Sequence, residues 1–237
     1  MDSVESANDR LALALDTDDL GTALDWASAV KGIFGVVKVG LELFSAVGPN
    51  SIDPLLEMGF KVFLDLKLHD IPNTVEKTSK AVSSLGVSYL TVHSSGGENM
   101  VRAALRGLSD GSEISGAKEP MLLGVTILTS DEKSDRSVLE ERISILTRAG
   151  AKGLVCAATD LEFVGKFGPE FFKVVPGIRR GTDQLGDQVR VSTPASAISA
   201  GADLLVVGRP ITTSTDPAGE AEKFRNCVAD SMNSSQN

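Results

Sequence analysis

The sequence predicts a (β/α)8 barrel, the TIM-barrel class of α/β folds, on three observations. Eight short apolar runs follow one another, and the segments between them carry helix punctuation. The length of 237 residues lies close to the ~250 usual for such a barrel. Charged residues collect at the carboxyl ends of the runs while the middles stay apolar, and in a barrel the chemistry sits at those carboxyl ends.

Taken in order, the first run is Leu11–Asp16. Successive strand side chains point to opposite faces, so Leu11, Leu13 and Leu15 should meet surrounding helices while Ala12, Ala14 and Asp16 face a crowded centre. An open doubly wound sheet is the structural rival, but this strand leads into Asp16-Thr17-Asp18-Asp19 and not into a glycine-rich phosphate turn. Asp18 and Asp19 suit a helix start, and Leu20, Leu24 and Ala27 keep the spacing of one helix face. The second run, Val36–Gly40, carries Lys38 between two valines. The third is Val62–Lys67. Alternation places Asp65 and Lys67 on one face and Leu64 and Leu66 on the other, and Pro72 follows the turn into a helix.

Tyr89–His93 and Leu122–Leu128 are the fourth and fifth runs. Ser137 with Glu140 forms a capping-box pair; Leu139, Ile143 and Leu146 share a face, and Gly150 falls where that helix should stop. Gly153–Ala157 is the sixth run, followed by a second capping-box pair, Thr159 with Glu162. Lys173–Ile178 is the seventh. Thr193-Pro194 opens the next helix, which Gly201 ends. Asp203–Gly208 is the eighth run, and Asp216-Pro217 opens the last helix. No linker, repeat or low-complexity block divides the chain, so residues 1–237 are read as a single domain with loose ends at about 1–8 and 233–237.

Composition narrows the function. A net charge of −9, from 23 basic and 32 acidic residues, argues against a nucleic-acid or anionic-membrane surface, while leaving room for a small anionic substrate held by a few local cations. No apolar run approaches the roughly 18 residues of a membrane span. The polar, acidic start lacks the pattern of a secretory signal. The two cysteines, Cys156 and Cys227, make a poor disulfide framework. A cytoplasmic protein is expected. The two histidines and two cysteines form no cluster with zinc spacing.

The polar residues at the strand ends form a set: Asp16, Lys38, Asp65 and Lys67 with Asp70 just beyond, His93, Thr129, Arg179, and Gly208-Arg209. An Asp-x-Lys pair alone is commonly a surface ion pair worth little. At the end of a buried strand, with Lys38 and Asp70 nearby, the same pair becomes a candidate for chemistry. His93 faces inward by parity and reads as a hydrogen-bonded supporting residue. His69 should face away.

Asp65-Leu-Lys-Leu-His-Asp-Ile-Pro-Asn-Thr74 resembles the signature of the orotidine 5′-monophosphate decarboxylase family. Val37-Lys38-Val39-Gly40, Leu128-Thr129-Ser130, Val175-Pro176-Gly177-Ile178-Arg179, Gly186-Asp187-Gln188 and Val207-Gly208-Arg209-Pro210-Ile211 resemble it too, in the family's order. The resemblance implies loss of carbon dioxide from orotidine monophosphate to give uridine monophosphate, the last step of pyrimidine synthesis, with no metal and no organic cofactor. It implies an alternating catalytic array of Lys38, Asp65, Lys67 and Asp70, with Lys67 facing the developing carbanion and then protonating it. It places Asp16 and Lys38 at ribose hydroxyls and Thr129 at the base or the lid. Arg179, Gln188, Gly208 and Arg209 fall at the phosphate, with the segment from Arg179 to Gln188 as a phosphate-gripping loop. It sends Asp70 and Thr74 into a neighbouring subunit's site, which implies a homodimer. Sugar-phosphate enzymes of the same barrel group also carry Asp-x-Lys-x-x-Asp, but they hold magnesium with an acid on strand 2, where this chain has Lys38. A nucleotide-binding barrel without turnover, or one half of a fused enzyme, is the non-catalytic alternative.

Overall fold

Strands buried on both faces can consist almost wholly of apolar residues, and this is how the barrel is written. The computed structural model describes residues 7–127, 135–167, 170–180 and 192–234. Its strands are β1 (Leu11–Ala14), β2 (Val36–Gly40), β3 (Lys61–Leu68), β4 (Tyr89–His93), β5 (Met121–Val125), β6 (Gly153–Val155), β7 (Phe172–Val175) and β8 (Leu204–Val207). They pair in parallel in sequence order, and β8 closes on β1 through Leu11 opposite Leu205. The fold is the (β/α)8 barrel the sequence predicts.

Helices α1 (Leu20–Ala29), α2 (Leu41–Val47), α3 (Asp53–Glu57), α4 (Pro72–Ser83) and α5 (Gly97–Ser115) belong to the first half. The second half carries α6 (Arg136–Ala149), α7 (Leu161–Phe167), α8 (Pro194–Ser199), α9 (Arg209–Thr212) and α10 (Pro217–Ser234). The parity expected of β1 holds. Leu11, Leu13 and Leu15 join the layer between strands and helices, while Ala12 and Ala14 pack inside the barrel with Val36, Phe63, Leu123, Val174, Leu204 and Val206. Near the amino ends of the strands, Tyr89 stacks on Phe172 with ring centroids 5.6 Å apart and meets the edge of Phe63 at 6.0 Å. These rings fill that end, so the barrel is a packed core and not a pore.

Several boundaries differ from the expected ones, each for a local reason. β1, β5, β6, β7 and β8 end before the runs expected for them do, because the ladder stops where the chain turns out over the barrel mouth. The cap of α6 is Asp135, whose carboxylate accepts from the Ser137 N–H at 2.9 Å and from its hydroxyl at 2.8 Å; Ser137 is already inside the helix. Thr159 lies within the 3-10 turn Ala158–Asp160 that precedes α7. Thr193 and Asp216 do cap, accepting from the Ser196 and Gly219 N–H groups, and Gly150 ends α6 at φ 87°. At the chain ends, Ala7 and Asn8 are tied down: the Asn8 amide donates to the Gly32 carbonyl and its own carbonyl accepts from Gly35. α10 likewise runs through Asn233.

Asp19 opens α1 by accepting from the Thr22 N–H at 2.7 Å. That bond, then the Thr22 hydroxyl, holds its carboxyl below the usual range. A lowered carboxyl supports the fold above its unfolded-state value, so this helix start weakens only as acid protonates it.

The tightest helix contact joins α4 to α5. Gly107 and Gly111 leave no room for a Cβ, which would overlap the carbonyl oxygens of Glu76 and Lys80. Ser83 donates to the Leu108 carbonyl at 2.9 Å and lies 2.6 Å from the Ser112 hydroxyl. Because the obstruction is backbone, a methyl here must separate the helices. Gly107→Ala should therefore destabilise the protein by about 1–3 kcal/mol despite its better helix propensity, read as a lower urea midpoint with an unchanged slope.

Candidate active site

The barrel register brings the charged side chains to one mouth. Lys38 on β2 stands opposite Phe63 on β3, and Gly40 opposite Asp65. Lys38 Nζ donates to Asp16 Oδ1 at 2.8 Å and lies 3.9 Å from Asp65 Oδ2. Lys67 Nζ donates to that same Oδ2 at 2.7 Å. The line therefore runs acid, base, acid, base. Its middle is nearly out of water: the side chains of Lys38 and Asp65 are 11% and 12% exposed, against 59% for Asp16. Charges so buried are tolerated only with partners, and each inner member has an opposite charge on both sides.

Plain strand alternation does not by itself bring Asp65 and Lys67 together. Leu64 pairs with Leu90 and Leu68 with Val92, so three residues of β3 (Asp65, Leu66, Lys67) stand opposite Thr91 alone. Lys67 absorbs this bulge with φ 48°, the one positive φ outside glycine among the described residues. A bulge re-aims side chains beside many active sites. The expected pairing is present, but through an irregularity that the alternating pattern does not reveal.

The line borders a cavity of ≈ 600 Å³ that Asp16, Lys38, Asp65, Lys67, Arg179, Gly208 and Arg209 all line. Val125, Ile127, Val155 and Cys156 form an apolar wall on one side. At the other end Gly177 turns the chain with φ 77°. The adjacent arginines then part company. Arg179 is buried at the cavity. Arg180 pairs with Glu220 and lies over the Phe224 ring of α10, 5.6 Å from its centroid. Arg209 opens α9 at the rim.

Asp70 and Thr74 do not line this cavity. Both are exposed, on the turn into α4 and its first coil. His69 and His93 lie 5.7 Å apart, ring to ring, outside the cavity lining. Thr129 and Gln188, with their motifs Leu128-Thr129-Ser130 and Gly186-Asp187-Gln188, lie outside the described residues. Among the described residues no group of three or more His, Cys, Asp or Glu side chains is placed to hold a metal ion, and no helix is long and apolar enough to cross a membrane.

A family model described as Orotidine 5′-phosphate decarboxylase / HUMPS family matches residues 9–224. The chain belongs to this family. It is 43% identical over 231 residues to the orotidine 5′-phosphate decarboxylase of Nitrosomonas europaea, covering 93% of this chain and 97% of that one. It is 41% identical over 224 residues to the enzyme of the same name from Paramagnetospirillum magneticum, covering 90% and 95%. Among solved structures, an orotidine 5′-phosphate decarboxylase from Lactobacillus acidophilus superposes with a TM-score of 0.78 at 34% identity, covering 93% of this chain and 99% of that one.

Two contributions to this family site escape sequence reasoning. The apolar wall consists of ordinary residues at and just beyond the ends of β5 and β6, with no distinguishing pattern. Gly40 sits inside a quoted motif, but its purpose is visible only in three dimensions. A Cβ there would stand 2.9 Å from Lys38 Nζ and 3.2 Å from Asp16 Oδ1, so the glycine makes room for that ion pair. Gly40→Ala should push the Lys38 ammonium aside by a few tenths of an ångström and lower turnover roughly tenfold. Thermal unfolding and turnover measured on the same preparation separate this loss from a folding defect.

Proposed function

We propose that the protein decarboxylates orotidine 5′-monophosphate to uridine 5′-monophosphate, the closing step of pyrimidine synthesis, acting as a cytoplasmic, single-domain enzyme. Family membership and full-length likeness to the named decarboxylases support the reaction. The observation that carries the mechanism is the alternating, half-buried line from Asp16 to Lys67 beside an apolar wall.

The chemistry explains why such a line is needed. The ring–carboxylate bond breaks, carbon dioxide leaves, and its electron pair stays in an in-plane orbital with no π system to accept it. Stabilisation must come from fixed charge nearby. A unit charge ~4 Å away is worth ~1 kcal/mol in water but ~4 at an effective dielectric of about 20, so water exclusion decides whether one ammonium suffices. Lys67 is the cation that faces the carbanion and then supplies its proton. Asp65 holds Lys67 in place. Lys38 balances Asp65 and, with Asp16, takes the ribose hydroxyls.

At the far end Arg179 and Arg209 suit the phosphate, with Gln188 completing the grip and Thr129 at the base. A Cβ at Gly208 would stand 3.5 Å from that of Ala14, an ordinary contact. The glycine lets the phosphate approach the backbone closely. Binding energy collected at the phosphate can lower the barrier at the ring. The sugar-phosphate alternative needs an acid at the strand-2 position to hold a divalent cation; Lys38 would repel it.

Asp70 and Thr74 complete the site of a second copy in a homodimer. Their exposure away from their own cavity supports this, as do the exposed Ile71 and Leu41 at the same face, 66% and 55% accessible.

Loss of orotidine monophosphate absorbance, followed with a chelator present, tests the reaction directly. Turnover that vanishes with the chelator and returns with magnesium would favour the sugar-phosphate reading. Lys67→Ala should fold normally and lose at least about a thousandfold in kcat; near wild-type turnover would sink the mechanism. Asp70→Ala and Lys67→Ala proteins, each inactive alone, should recover about a quarter of wild-type activity after equal subunit exchange, since one site of each mixed dimer is intact. No recovery in verified mixed dimers would reject site sharing.

A further inference from the structure

We propose that Thr91 is a positioning residue for this reaction, fixing Lys67 through its backbone and Asp65 through its carboxylate with one hydroxyl. The assignment rests on the roles of Lys67 and Asp65 given above.

A lysine at φ 48° is in a strained conformation that persists only where its surroundings impose it. The bulge also takes the Lys67 N–H out of regular strand pairing, and a half-buried N–H left without a partner would be costly. Thr91 answers both needs. Its Oγ1 accepts from the Lys67 N–H at 2.8 Å. Its hydroxyl donates to Asp65 Oδ1 at 2.9 Å, which leaves Oδ2 as the oxygen that meets Lys67 Nζ and faces Lys38. A hydroxyl has one hydrogen to give, so these two bonds fix its direction. The β-branched side chain limits rotation about χ1 as well.

Thr91 is fully buried and does not line the cavity, so it acts through its neighbours and not on substrate. Packing alone does not call for the hydroxyl, because valine has the same shape and suits a buried strand better. What valine lacks is the means to hold the bulge closed and turn the carboxylate.

Steady-state kinetics on Thr91→Val, Thr91→Ala and Thr91→Ser test this, with thermal unfolding to identify folded variants. The valine and alanine variants should lose about a hundredfold in kcat with KM moved by less than about threefold. Serine, which keeps the hydroxyl, should restore kcat to within about threefold of wild type. Should the valine variant not fold, the serine–alanine comparison decides, since those two differ by the hydroxyl alone. Equal kcat for serine and alanine, or a loss carried wholly by KM, would overturn the assignment. Lys67→Ala assayed alongside separates this from the reading beneath it. If that variant keeps its turnover, the roles of Lys67 and Asp65 are wrong; if it is inactive while Thr91→Ala is fast, only the assignment of Thr91 falls.

Discussion

Four charges can share the half-dry mouth of this barrel only because they alternate in sign along a line. Asp65 is the member on which the line turns, since one of its oxygens meets both lysines. Removing one partner from a buried ion pair commonly costs 3–5 kcal/mol or so, because the survivor keeps its desolvation penalty and loses its compensation. The alternation is thus what lets these charges sit together at the half-dry strand ends. Its surroundings follow from it: a glycine where a methyl would displace Lys38, a threonine beneath the bulge, an apolar wall that keeps the dielectric low.

The barrel supplies what the array needs. Parallel strands in register bring Lys38 and Asp65 near each other across β2 and β3, although 27 residues separate them in sequence. The helices absorb the outward leucines, so the strand ends are free to carry polar residues. The two adjacent arginines show the same division of labour: Arg179 serves the cavity, and Arg180 ties the end of β7 to α10 through Glu220 and Phe224.

Much of this was legible in the chain. Apolar runs with helical punctuation give the barrel because periodicity and capping are local properties. The alternating leucines of β1 give its two faces for the same reason. Asp65, Lys67, Lys38, Arg179 and Arg209 could be named because charged residues at the ends of apolar strands are conspicuous. What stayed hidden depends on contacts between distant segments. Thr91 looks like any strand threonine until β4 is laid against a bulged β3. Gly40 looks like a strand end until the Lys38 ammonium is placed above it. Nothing in a run of Asp65-Leu66-Lys67 announces that the lysine will leave the extended region, since lysine has no preference for doing so. Ser137 was a reasonable helix cap by spacing, but Asp135 lies nearer the true start and competes better as an acceptor for the first free N–H groups.

The aromatic layer of Phe63, Tyr89 and Phe172 has a consequence for traffic. With the amino end of the barrel filled, the cavity is a blind pocket with its opening at the carboxyl face. Carbon dioxide formed in it has no back exit and leaves through the mouth by which the substrate entered. Entry of substrate and departure of both products share one door, so whatever crowds that door slows release as much as it aids capture.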